Sequence, residues 1–70
     1  MKLADALAAV EAGERVTCNV LPIGTVVKRE ASGWGFTGPR VVWEGTGAGH
    51  NFTARPEHEA ADWRKVEGWA

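Results

Sequence analysis

The sequence predicts a small α+β domain: an N-terminal helix followed by a four- to five-stranded antiparallel sheet, with a short helical turn before the last strand. Three observations carry that expectation. Leu3, Ala6, Leu7 and Val10 repeat at the i, i+3, i+4, i+7 spacing of one helical face, within an alanine-rich stretch. Val16, Cys18 and Val20 alternate with Arg15, Thr17 and Asn19, the period of a strand with one buried face. Near the end, Glu57 to Ala61 reads as one turn of helix that breaks at Asp62-Trp63 and becomes a short closing strand. A ring as large as Trp63 at such a junction is expected to be a core plug that anchors both ends of the domain.

Each element follows from its local chemistry. The first helix is expected from about Lys2 to Ala12, with Gly13 as the left-handed residue that stops it. The strand from Arg15 to Val20 ends at Leu21-Pro22-Ile23-Gly24, because Pro22 cannot donate a ladder hydrogen bond and Gly24 permits a turn. Thr25 to Glu30 forms a second strand and a hairpin with the first. Ser32 to Pro39 holds three glycines and a proline around Trp34 and Phe36, which predicts a loop with a short extended piece around Phe36. Arg40 to Glu44 is a third strand, with Val41 and Trp43 on one face and Val42 and Glu44 on the other. Gly45 to Gly49 is a hairpin connection and His50 to Ala54 a fourth strand. Pro56 suits the first position of the helical turn, where its missing N–H is not needed.

Seventy residues make one domain, 1–70, and a chain this short buries only roughly 60% of the surface it exposes when unfolded. Extra stabilisation is therefore expected. Cys18 is the single cysteine, and two histidines offer no zinc-like spacing. Oligomerisation is the remedy left, and four tryptophans support it, since Trp is enriched at interfaces and ligand pockets. A net charge of −1 gives no footprint for nucleic acid or an anionic membrane. No apolar run approaches the roughly 20 residues of a membrane span. The expected location is the cytoplasm.

The glycine run at 45–49 resembles a phosphate-cradling loop only superficially, because a strand rather than a helix is expected after it. Cys18 falls on the apolar side of its strand, Ser32 has no adjacent base, and Glu57, Glu59 and Asp62 read as a solvated helical turn. No catalytic constellation, cofactor or metal site emerges, and an enzyme is not expected. What recurs near the loops is aromatic, basic and amide chemistry. Trp34, Phe36 and Trp43 are candidate stacking rings, Arg40 and Arg55 candidate phosphate partners, and His50, Asn51 and Asp62 candidate contacts to ribose or base. That combination suits a nucleotide-like ligand. Each residue also has an ordinary role open to it, Trp43 in the core and the arginines on the surface.

The ends of the chain resemble a family of small phage proteins, the Thoeris anti-defence protein 2 type. The opening, Ala4-Asp5-Ala6-Leu7-Ala8-Ala9-Val10-Glu11-Ala12-Gly13-Glu14-Arg15-Val16, is similar to the family's "A-L-x-x-L-x-x-G-x-x-V" pattern. The closing, Glu57-His58-Glu59-Ala60-Ala61-Asp62-Trp63-Arg64-Lys65-Val66, is similar to its "D-L-x-A-x-D-W-x-V". The chain departs from the pattern at Thr17 to Leu21, where the family's tryptophan is missing, and residues 21–52 are not matched. The resemblance implies a non-catalytic sponge acting in an infected bacterial host. Such a homo-oligomer, a dimer or tetramer, would sequester a nucleotide immune signal of the cyclic or ADP-ribose-derived kind. The other expectation the sequence leaves open is a small phage protein that inhibits or accompanies a host protein through its exposed tryptophans.

Overall fold

A computed structural model describes residues 1–31, 37–46 and 48–66. The elements are α1 (Leu3–Glu11), β1 (Val16–Thr17), β2 (Thr25–Ala31), β3 (Thr37–Trp43), β4 (Gly49–Asn51), α2 (Pro56–Ala60) and β5 (Arg64–Lys65). The strands form one antiparallel sheet in the order β4-β3-β2-β1-β5. The α+β class is therefore as the sequence predicts, a helix followed by a meander. The last strand, however, returns to the free side of the first.

Helix α1 buries Leu3, Ala6, Ala9 and Val10, the face that its periodicity marks, with Leu7 half-buried beside them. Its end is fixed by Gly13, at φ +91°. The Gly13 N–H donates to the Val10 carbonyl at 2.9 Å and the Glu14 N–H to the Ala9 carbonyl at 3.0 Å, the paired bonds of a Schellman stop. The chain turns at once into β1.

Strand β1 is shorter than the alternation of Val16, Cys18 and Val20 predicts. Cys18 keeps its inward side at 5% exposure, but the Leu21 N–H turns back to the Cys18 carbonyl at 3.3 Å, and Val20 is exposed. Asn19 favours a turn and Pro22 has no N–H for a ladder, so pairing stops at Thr17. A second turn follows, closed by the Thr25 N–H on the Pro22 carbonyl at 3.2 Å. Gly24 sits at its third position with φ +87°, the left-handed conformation that such a turn requires.

Strand β3 begins earlier than expected, since Thr37, Gly38 and Pro39 already pair with Ala31, Glu30 and Arg29. Pro39 then explains why β4 is short. The Phe52 N–H donates to the Pro39 carbonyl at 3.0 Å, but Pro39 has no N–H to return, so the strand expected to reach Ala54 ends at Asn51. Trp34 and Phe36 lie outside the described residues.

The core lies between α1 and one face of the sheet, where Val16, Val27 and Val41 meet Val10, Ala61 and Trp63. Trp63 is 2% exposed and packs edge-on to Phe52 with ring centres 5.9 Å apart. Its role as an anchor of both ends is literal. The Met1 amino nitrogen donates to the Trp63 carbonyl at 2.7 Å and the Trp63 N–H donates to the Met1 carbonyl at 2.8 Å. The opposite face of the sheet buries Val26 and Val42, paired across β2 and β3, so Val42 is covered as well as Val41 although the two point in opposite directions. Among the described residues, no helix is long and apolar enough to cross a membrane.

Candidate functional site

The segment after β3 builds the most promising concavity. Val41 of β3 pairs with His50 of β4, so both lie on the helix side of the sheet. The chain then passes through Phe52, half-buried against the core, and turns at Arg55 into α2. Opposite stands the turn at residues 20–22. Between these walls lies a cleft of about 310 Å³. Val20, Leu21, Pro22, Val41 and Phe52 give it an apolar side, and His50, Asn51, Thr53, Arg55, Glu57 and His58 give it a polar one.

Hydrogen bonds orient the two imidazoles. His58 Nδ1 accepts from the Arg55 backbone N–H at 3.0 Å, while the His58 carbonyl accepts from Trp63 Nε1 at 2.8 Å. An acceptor nitrogen carries no proton, so the His58 ring proton sits on Nε2. His50 Nδ1 lies 3.1 Å from the Asn51 carbonyl. A carbonyl can only accept, so here the proton sits on Nδ1 and leaves Nε2 as a possible acceptor. The His58 ring also packs against Phe52 and Trp63, at centre distances of 5.0 and 6.2 Å. The polar wall is thereby tied to the core. Arg55 and Glu57 have no ion-pair partner among the described residues.

Of the eight residues singled out from sequence, three border this cleft, His50, Arg55 and Asn51, the last of which pairs with Arg40 and so turns its side chain to the other face of the sheet. Three stand elsewhere. Arg40 is directed to the opposite face, where Nη2 donates to the Gly49 carbonyl at 2.8 Å and Nη1 lies 3.9 Å from Glu30. Its Nε is buried without an acceptor. Trp43 pairs with Thr25 at the end of β3 and is 43% exposed, and it does not line the cleft. Asp62 lies against the Met1 amino nitrogen at 3.1 Å, its side chain almost fully exposed. Trp34 and Phe36 fall outside the described residues.

Sequence reasoning missed Thr53, Glu57 and His58. The signal was their spacing, because His50, Asn51, Thr53, Arg55, Glu57 and His58 are six polar side chains within nine consecutive residues. A short strand followed by a helical turn folds such a run around a single hollow.

A second cleft, of about 340 Å³, lies on the far side of Leu21 and Pro22, with Glu44, Arg64 and Lys65 at its rim. Its two threonine hydroxyls are already committed, Thr17 to the Thr25 carbonyl at 3.1 Å and Thr25 to the Pro22 carbonyl at 2.6 Å. Lys65 is engaged by Glu14 at 3.1 Å. Among the described residues, no group of three or more His, Cys, Asp or Glu side chains is placed to hold a metal ion. No known protein family, curated protein or solved structure matches this chain.

Proposed function

We propose that this protein is a non-catalytic binding module that captures a small nucleotide signal, either a cyclic nucleotide or an ADP-ribose derivative, and so keeps it from its receptor. The observation that carries the reading is the convergence of Arg55 and His50 on one cleft with an apolar floor. A guanidinium meets a phosphate with a fork of donors, an imidazole bonds ribose or base edges, and an apolar wall receives the base. The resemblance of the chain ends to phage anti-defence sponges supplies the biological setting, an infected bacterial cytoplasm, and the expectation of a homo-oligomer.

Sequestration requires tight binding without turnover. The test is a thermal-shift screen against cyclic nucleotides, cyclic ADP-ribose isomers and linear ADP-ribose, followed by heat release and chromatography of any hit. A ligand at 100 times its dissociation constant adds roughly 2.7 kcal/mol of stability, a shift of several degrees in a domain of this size. Recovery of the intact ligand is the expected result. Recovery of a cleaved product would replace the reading by an enzymatic one, and no shift across the panel would remove it. Sedimentation of the same samples gives the oligomeric state.

One observation favours a second reading, that of an inhibitor of a host protein. Ile23 is 99% exposed on the turn before β2, and Trp43 is half-exposed at the paired end of β3. Such side chains serve as anchors at interfaces. If Ile23→Asp together with Trp43→Ser abolished capture of a single host protein while nucleotides gave no shift, this reading would prevail.

A further inference from the structure

Within the nucleotide-binding reading, on which this step rests, the lining of the cleft also bears on the charge of the ligand. Arg55 is the one permanent cation among the lining residues, and Glu57, two positions on, brings a carboxylate to the same wall. His58 adds no charge while its Nδ1 holds the Arg55 N–H. At a pH where an ordinary imidazole is neutral, the formal charge of the wall is therefore close to zero. A single phosphodiester can lie against Arg55 and leave Glu57 to accept from a ribose hydroxyl or an exocyclic amine. A second negative charge finds no second guanidinium and is brought towards Glu57. Volume points the same way. The cleft holds about 310 Å³, at the lower end of the roughly 300–1,000 Å³ of small-molecule sites. That suits one nucleoside with one phosphate better than two riboses joined by a pyrophosphate.

We infer that the cleft formed by Arg55, Glu57, His50 and Phe52 selects a singly charged cyclic mononucleotide over nucleotides carrying two negative charges, with Glu57 as the selecting residue. Glu57 discriminates by repulsion, as specific sites commonly do.

The test is isothermal calorimetry at pH 8 with three probes: cyclic AMP, AMP and cyclic ADP-ribose. AMP shares the base and sugar of cyclic AMP and differs by one charge, which separates charge from size. The wild-type protein is expected to bind cyclic AMP most tightly. Glu57→Gln, which keeps the shape of the side chain, is expected to narrow the preference for cyclic AMP over AMP by roughly fivefold, the upper range for one charge at a solvated site. Arg55→Gln is expected to weaken all three. Equal or tighter binding of AMP or cyclic ADP-ribose, or an unchanged ratio in Glu57→Gln, would overturn the selection by charge while leaving nucleotide binding intact. If none of the probes bound, and the broader nucleotide panel gave no shift either, the underlying reading would fall with it. Unaltered melting of the two variants in the absence of ligand serves as the folding control.

Discussion

Arg40 and Arg55 are two arginines that chemistry alone cannot rank, and the fold separates their tasks. Arg40 spans β3 and β4, bonding the Gly49 carbonyl while its Nε is buried without an acceptor. Arg55 stands at the start of α2 and lines the cleft. Arg40→Met should therefore lower the urea midpoint by an amount corresponding to about 1 kcal/mol, the net worth of a hydrogen bond made by an intramolecular donor, and leave ligand affinity within twofold. Arg55→Gln should do the reverse. A loss of binding without a loss of stability in Arg40→Met would reassign that residue to the site. Trp63 has a different weight, because its ring fills the core and its Nε1 donates to the His58 carbonyl at 2.8 Å. Trp63→Phe keeps most of the packing and orphans that carbonyl, for an expected cost of about 1–3 kcal/mol, whereas Trp63→Ala adds a cavity and should cost about 3–5 kcal/mol. Urea denaturation monitored by circular dichroism checks both. The role of Trp63 was legible in the sequence because a large apolar ring at a junction has few other uses. Arg40 and Arg55 were not distinguishable, because which face of a sheet an arginine takes depends on register, and register is a tertiary property.

At the scale of elements, helix α1 and the hairpins were legible because each carries a local signal: a 3.6-residue period ended by Gly13, and alternations ended by Gly24 or by the 45–49 run. The errors were at strand ends, and they have a common cause. The length of a strand depends on what its partner can return, so β4 stops where Pro39 lacks an N–H and β1 stops where the chain turns at Asn19. The candidate site depends on the same detail. Strand β4 carries His50 to the cleft, and it approaches β3 so closely that a Cβ on Gly49 would collide with the Val41 carbonyl oxygen. Gly49→Ala should push β4 away from β3, speed hydrogen exchange at the Trp43 and Phe52 amides that bond across the pair, and weaken ligand binding together with stability. Gly24→Ala, in open space but at φ +87°, makes an informative contrast. Its expected cost is about 1–2 kcal/mol of backbone strain, with ligand affinity unchanged once the protein is folded. Equal effects of both glycine variants on binding would mean that β4 does not position the site.

For the whole molecule, the arrangement to explain is how so small a core holds a five-stranded sheet. Among the described residues, the largest fully buried side chains are Val10, Val16 and Val27, with the Trp63 ring nearly as buried beside them, so much of the core is small and the closure of the chain on itself matters. Strand β5 returns to pair with β1, Val16 opposite Lys65 and Thr17 opposite Arg64, beside the start of α1. Two hydrogen bonds exchanged between Met1 and Trp63 fasten that return, and the Asp62 carboxylate adds a solvent-exposed contact to the same amino nitrogen. Residues 62 positions apart in sequence thus share one clasp, and Trp63, His58 and Phe52 relay it to the wall of the cleft. Deleting Met1 and Lys2 removes the clasp without touching the cleft. The expected loss is about 2–3 kcal/mol from the two Met1–Trp63 hydrogen bonds, with the packing of Met1 on the core lost besides. For 70 residues at roughly 0.05–0.15 kcal/mol each, that is a large share of the total stability. If the two ends and the cleft form one cooperative unit, the deletion should lower the melting temperature in a single transition, and a saturating ligand should recover part of the loss. A biphasic melt, with the β5 and α2 amides exchanging before the rest, would instead show that the clasp stabilises only its own corner of the fold.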